Sequence, residues 1–279
     1  MNKILLPVPA LMLAASLTYS PAHADSLPKW EIGAGFGTLS VPDYRGADTR
    51  SSYVFPSPYF VYRGDILHAD RSGMRASLFE SDRVEINLSL NASLPGRGKD
   101  NALRRGMEDL RPVLELGPTA DLRLWNSADD RVRVALRLPM RAGVTIESSP
   151  RHIGWLFSPN LLLQLQDPAG LRGWKLGVQG GPLYATRDYN GYLYSVRAAD
   201  ALPGRPAYAA PGGYAGTQLT TTLSRRFSRY WVGAFLRYDH LGGAVFEDSP
   251  LMQRNSAVTG GLAVSWVFGT SSERVDAED

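Results

Sequence analysis

The chain has 279 residues, a formal net charge of +3 and no cysteine. Without cysteine there is no disulfide framework, thiolate metal site or cysteine nucleophile. With 10% aromatic residues and so small a surplus of positive charge, neither a wholly disordered chain nor an electrostatic nucleic-acid binder fits.

Residues 1–24 read as a secretory signal peptide. Asn2-Lys3 opens it, Ile4 to Ser20 is almost wholly apolar or small, and Ala22-His23-Ala24 places small residues where a signal peptidase reads, so cleavage is expected after Ala24. Pro7, Pro9 and Pro21 and the short apolar stretch argue against a spanning helix. The mature protein is therefore expected outside the cytoplasm.

After Asp25 the apolar residues alternate. Trp30, Ile32, Ala34 and Phe36 oppose Glu31, Gly33, Gly35 and Gly37; Val84, Ile86, Leu88 and Leu90 oppose Glu85, Asn87, Ser89 and Asn91. Leu114, Leu116, Leu122 and Leu124 oppose Glu115, Asp121 and Arg123, and Val132, Val134, Leu136 and Leu138 oppose Arg131, Arg133, Arg137 and Arg141. Trp155 to Leu165 and Val258 to Phe268 repeat the pattern. Period two on a strand means one apolar face and one face of charges and small residues. These segments run about 10 to 17 residues, longer than ordinary globular strands. Their polar face mixes arginines, acids and glycines, and their apolar face ends in aromatics. A soluble barrel or sandwich would bury the apolar face; a membrane barrel turns it to lipid, with aromatic girdles at both interfaces. The predicted fold is all-β: a transmembrane antiparallel up-and-down β-barrel.

Connections supply the count. Short turns are expected at Arg63-Gly64-Asp65, Ser81-Asp82, Asn126 to Asp130, Asp167 to Gly173 and Arg226 to Arg229. Long loops are expected at Val41 to Ser52, Leu94 to Leu110, Ser148 to His152, Thr186 to Gly212 and Leu241 to Asn255. Reading residues 66–80 as a hairpin turning at Asp70-Arg71-Ser72-Gly73 keeps the long loops on one side and gives about 12 strands; an irregular segment there gives 10. Both termini are then periplasmic. The domain reading is signal peptide 1–24, barrel 25–268 and polar periplasmic tail 269–279.

Three runs carry a resemblance: Trp30-Glu31-Ile32-Gly33-Ala34-Gly35, then Pro42-Asp43-Tyr44-Arg45-Gly46, then Pro56-Ser57-Pro58-Tyr59-Phe60-Val61-Tyr62-Arg63-Gly64-Asp65. With Gly73-Met74-Arg75, Leu78-Phe79 and the closing aromatic strand, the chain resembles the MipA/OmpV family (MltA-interacting protein) of Gram-negative outer membranes. The resemblance spans the mature chain and is strongest over residues 30–95. It implies an outer-membrane β-barrel, and for one branch a scaffold holding a lytic murein transglycosylase near a murein synthase. Other branches are described as adhesins, porins or stress-responsive envelope proteins, so fold and location are implied more firmly than task. Barrels of this kind usually end at an aromatic residue read by the assembly machinery. Trp266 and Phe268 have that context, but Gly269 to Asp279 follow.

Arg131, Arg133, Arg137 and Arg141, with Arg123, Asp121, Glu115 and Glu85 on nearby strands, are expected to line the lumen. They read either as a plug of ion pairs, since isolated buried charges are costly, or as a constriction preferring anions. Arg63-Gly64-Asp65 spells an adhesion tripeptide, but Gly-Asp is an ordinary turn pair facing the periplasm. Catalysis would need a nucleophile, base and orienter. His68 with Asp70, and Asp239 with His240, are the available acid–base pairs, and no nucleophile turn or metal spacing accompanies them. Tyr189, Tyr192, Tyr194 and Tyr208 fall in the 186–212 loop, as a ligand surface or as a lid over the bore. The expected protein is a non-catalytic barrel without cofactor. Its partners are outer-membrane lipid and, through the resemblance, a murein hydrolase and synthase; a narrow channel or an adhesin is the alternative.

Overall fold

The computed structural model describes residues 26–64, 67–70, 73–93 and 101–275. The expected signal peptide, Asp65 and the end of the tail lie outside the described residues. The strands are β1 (Leu27–Pro28), β2 (Trp30–Pro42), β3 (Arg50–Arg63), β4 (Leu67–Asp70), β5 (Gly73–Glu80), β6 (Val84–Ser93), β7 (Val113–Asn126) and β8 (Val132–Thr145). They continue with β9 (His152–Phe157), β10 (Asn160–Gln166), β11 (Trp174–Ala185), β12 (Gly213–Arg226), β13 (Tyr230–His240), β14 (Ser256–Thr270) and β15 (Arg274–Val275). Helix α1 (Arg187–Tyr194) interrupts the 186–212 loop.

Neighbouring strands pair antiparallel from β2 round to β14, and β14 closes on β2. Both β9 and β10 lie between β8 and β11. They are one strand broken at Ser158-Pro159, where proline has no N–H for the ladder. Counted so, the barrel has 12 strands. The expected hairpin over 66–80 is present as β4 and β5, with Asp70 opposite Gly73. The long connections share one end with the β4–β5 hairpin turn, and the other short turns lie at the opposite end.

The alternation sorts the faces. Phe36, Val54, Leu262 and Phe268 are 63–78% exposed, whereas Glu31, Thr119, Asp121 and Ser265 on inward positions are buried. An apolar exterior suits a hydrocarbon solvent, and pairing the strands into a ring satisfies their backbone groups, except along the edge of β3 described below. Trp30, Trp125, Tyr230 and Trp266 ring the short-turn end; Trp155, Tyr184 and Tyr238 ring the loop end. Among the described residues no helix is long and apolar enough to cross a membrane, and the strands make the crossing.

Two places depart from a plain barrel. β14 continues past Phe268 to Thr270, and Arg274–Val275 then pairs with Leu27–Pro28. Lys29 and Glu273 add an ion pair at 2.9 Å, so the two ends of the described chain are fastened together. The second departure is β3. It meets β4 only at Tyr62–Ala69 and Arg63–His68, so from Arg50 to Val61 its ladder among the described residues is with β2 alone. The Arg63 N–H donates to the Lys29 carbonyl, so odd-numbered residues of β3 turn their backbone groups to β2 and even-numbered ones to the other edge. Pro56 and Pro58 are even-numbered. Having no N–H, they cost the β2–β3 ladder nothing and strip two donors from the uncovered edge, a standard way of blunting unwanted strand pairing.

Candidate functional site: a plugged lumen

The loop that joins β2 to β3 carries Pro42-Asp43-Tyr44-Arg45-Gly46, and it folds into the barrel mouth. Asp43 accepts from the hydroxyls of Thr49 (2.6 Å) and Ser51 (3.1 Å), which tightens the loop. Gly46 has φ +95°, a left-handed conformation that glycine adopts without strain, and its carbonyl accepts the N–H groups of Gln253 and Arg254. Tyr44 donates to the Leu251 carbonyl at 2.6 Å; burial pushes its hydroxyl up to about 12, so it stays protonated as a donor.

Arg45 enters the interior. Its Nε lies 3.0 Å from Asp239 Oδ1, and an Nη donates to the Ala215 carbonyl at 2.8 Å. Gln218 also donates to Asp239 Oδ1, and Arg237 Nε stands 3.2 Å from Oδ2. The Asp239 side chain is fully buried, so this carboxylate needs its cations. Burial alone lowers the proton affinity of Arg45; the Asp239 charge beside it more than restores it.

Around that pair the long connections form an apolar plug. Tyr194 from α1 stacks on Phe246 with centroids 3.7 Å apart, meets Tyr44 edge-on at 6.2 Å, and donates to the Arg45 carbonyl at 2.9 Å. Burial raises its hydroxyl too. Leu241, Phe246 and Leu251 are completely buried beside it. Tyr189 reaches down from α1 and donates to Glu115 Oε1 at 2.6 Å; burial, then the Glu115 charge, hold its proton firmly. Arg104, in the 101–112 connection, donates to the Leu193 carbonyl and lies 5.8 Å over the Tyr44 ring. Four connections thus lock together across the mouth.

Below the plug the inward residues form a polar network. Arg137 Nε meets Asp121 Oδ1 at 2.8 Å, and Asn87 bridges Asp121 and Glu85 with 3.1 Å bonds to each. Arg141 donates to Ser89, which shares a 2.7 Å bond with Thr119. Asn91 donates to the second oxygen of Glu115. At the short-turn end Glu31 binds Arg63 at 2.9 Å and Arg226 at 2.8 Å, beneath Tyr59 and Trp231.

Of the arginines read from the sequence, Arg133, Arg137 and Arg141 occupy the inward file of β8. Arg131 does not join them. It precedes β8 in the turn and pairs with Asp129 at 3.6 Å, both side chains about 60% exposed, because the strand begins only at Val132. Arg123 sits at the short-turn rim, paired with Glu80 at 3.0 Å. Gly64 follows β3 in the short-turn end, while Trp266 and Phe268 face outward. The sequence placed Glu31 on the polar parity of the first strand, Asp239 beside His240 and Arg226 at the edge of a turn, but marked none of them, nor Arg237, as a lumen residue. An acid on the polar parity of a strand was the available signal, and Glu31 and Asp239 both carry it. His68 and Asp70 lie on β4, and among the described residues no group of three His, Cys, Asp or Glu is placed to hold a metal.

The profile of the family described as MltA-interacting protein MipA matches residues 34–268. The chain belongs to that family. The match includes Pro42 to Gly46, Pro56-Ser57-Pro58 and the closing strand, so the plug keystone, the blunted edge and the last barrel strand all fall inside the family region. Among solved structures, the chain is similar to the outer membrane protein OprG from Pseudomonas aeruginosa, with 10% identity over 87% of this chain and 94% of that one and a TM-score of 0.22. It is also similar to a mutant of the Rh. blastica porin, with 9% identity over 86% of this chain and 99% of that one and a TM-score of 0.16. The fold rests on the closed sheet itself. No curated protein matched by sequence.

Proposed function

We propose that this outer-membrane β-barrel is a non-catalytic scaffold that holds murein-processing enzymes at the inner face of the membrane. The plug is the observation that carries this reading. A barrel whose outer mouth is filled by Tyr44, Tyr194, Leu241, Phe246 and Leu251 around a buried Arg45–Asp239 pair is built for rigidity. The family's description as an MltA-interacting protein supports a murein enzyme as the partner. In this reading the long connections face outward and the short turns face the periplasm, the usual arrangement of bacterial barrels. The fastened ends, Leu27–Pro28 with Arg274–Val275, then stand in the periplasm beside the turns as the docking face.

Crosslinking in intact envelopes, followed by affinity recovery of the full chain, tests the reading. Recovery of a murein hydrolase together with a synthase is the expected result. Envelopes that yield neither, with the barrel itself recovered in good amount, overturn it. The lumen arginines are the one feature that favours a narrow anion channel instead, but Arg137 is committed to Asp121 and the plug lies above it.

A further inference from the structure

The outward face of a membrane strand is a poor place for a charge, which makes Arg225 conspicuous. It lies on the same parity of β12 as Leu219 and Leu223, opposite Trp174 of β11 and Val232 of β13. Its guanidinium stands 4.6 Å from the Phe227 ring centroid and 5.9 Å from that of Trp174, and its Nε lies 3.4 Å from where a Cβ on Gly173 would stand. Phe227 in turn stacks on Tyr230 at 4.6 Å. Rings on two sides fix the guanidinium at the level of the aromatic girdle. Among the described residues no carboxylate forms an ion pair with Arg225, nor with the exposed Arg172 and Arg229 in the two turns beside it. The neighbouring acid, Asp167, accepts the Gly173 N–H with Oδ1 inside its own turn.

We propose that Arg225, with Arg172 and Arg229, forms a headgroup site for an anionic phospholipid of the inner leaflet. The phosphodiester would bind the three guanidinium groups, which present paired donors suited to phosphate. The acyl chains would run along the outward Leu176, Val178, Leu223 and Val232. A phosphate, unlike a protein carboxylate, is supplied by the membrane at this depth, and it neutralises cations that the fold leaves uncompensated. An arginine held between rings is committed to one orientation, so this is a built contact and not a side chain reaching freely for water. The leaflet assignment rests on the proposed orientation, with short turns in the periplasm.

Native mass spectrometry of the full chain, released from vesicles of equal phosphatidylglycerol and phosphatidylcholine, reads the bound lipid. Retained phosphatidylglycerol in clear excess over phosphatidylcholine is expected. Each of Arg225→Gln, Arg172→Gln and Arg229→Gln is expected to reduce that excess about fivefold. Arg172 and Arg229 sit in exposed turns, so their variants keep the barrel even if Arg225→Gln does not. Arg254→Gln, in the long connection at the other end, is expected to leave the excess unchanged. Equal retention of the two lipids, or an excess that survives all three substitutions, overturns the site. Ser228→Cys, treated with an impermeant maleimide, separates the underlying orientation from the site: reaction only after the outer membrane is permeabilised supports the inner-leaflet assignment. Reaction in intact cells overturns that assignment whatever lipid is retained, and the recovery of murein enzymes is read independently of either result.

Discussion

Arg45 and Asp239 meet at 3.0 Å inside the barrel although 194 residues separate them in the chain. One comes from the loop after the first barrel strand and the other from the end of β13, so the pair ties the start of the fold to its close. Removing one partner of a buried pair strands the other charge, which typically costs about 3–5 kcal/mol. Arg45→Ala and Asp239→Ala are each expected to lower barrel stability by that order, measured by the urea midpoint of the heat-modifiable band shift. A midpoint unchanged in both variants would show that the pair is incidental.

Tyr194 separates packing from hydrogen bonding. Tyr194→Phe keeps the stack on Phe246 and loses the donation to the Arg45 carbonyl, an expected cost of about 1 kcal/mol. Tyr194→Ala empties the centre of the plug, an expected cost of about 3–5 kcal/mol with protease cleavage inside the 186–212 loop. Equal effects of the two substitutions would contradict the stacking account.

Gly46 is required twice over. Its φ of +95° disfavours a side chain, and an added Cβ would fall against Met252. Gly46→Ala is expected to cost about 1–3 kcal/mol, read from the same urea midpoint. Met252→Ala in the same chain relieves only the steric part. A double variant as stable as the wild type would mean that the backbone conformation is not a constraint.

The loop ion pairs set an acid limit. Thr145 and Arg151 hold the Glu147 carboxyl below its ordinary 4.5, and Arg197 does the same to Asp200 below its ordinary 3.8. A lowered folded value means stability fully present above the ordinary value and lost as pH falls through the lower one. Amide exchange in the 146–151 and 197–200 segments, corrected for its intrinsic rate, is therefore expected to be slow at pH 6 and to quicken near pH 3. Exchange that does not change with pH would remove these pairs from the account.

The β3 edge gives a test of assembly. Replacing Pro56 and Pro58 by Val restores two N–H donors to an edge that β4 leaves uncovered. Crosslinked dimers in the membrane are expected to rise in the double variant and to stay rare in the wild type. Similar dimer yields would mean that the prolines do not guard the edge.

Period two in the sequence was enough to place most strands, because each inward residue is opposed by an outward one and a slip of one residue would turn Val132 to Ile146 inside out. The hairpin over 66–80 followed from the bookkeeping of loop sides. The plug was legible only in part: the tyrosines of the 186–212 loop, Tyr194 among them, offered a lid over the bore, but Tyr44, Arg104 and Phe246 sit in other connections without period, and their contacts join segments far apart in the chain. Arg131 continued the alternation on paper, yet the turn that ends at Val132 takes it out of the strand. Glu31 and Asp239 looked like ordinary polar positions, and only the closing of β14 on β2 and the folding of Arg45 into the mouth give them partners. Pro56 and Pro58 were legible as a motif, and their meaning depended on which edge of β3 is covered.

Conductance of the reconstituted full chain tests the closed barrel most directly. In planar bilayers the wild type is expected to stay silent across the range of voltages that the membrane tolerates, while Tyr189→Ala combined with Tyr194→Ala, which removes the α1 side chains from the mouth, gives discrete steps. Regular steps from the wild type, unchanged by those two substitutions, would contradict the plug and with it the scaffold reading.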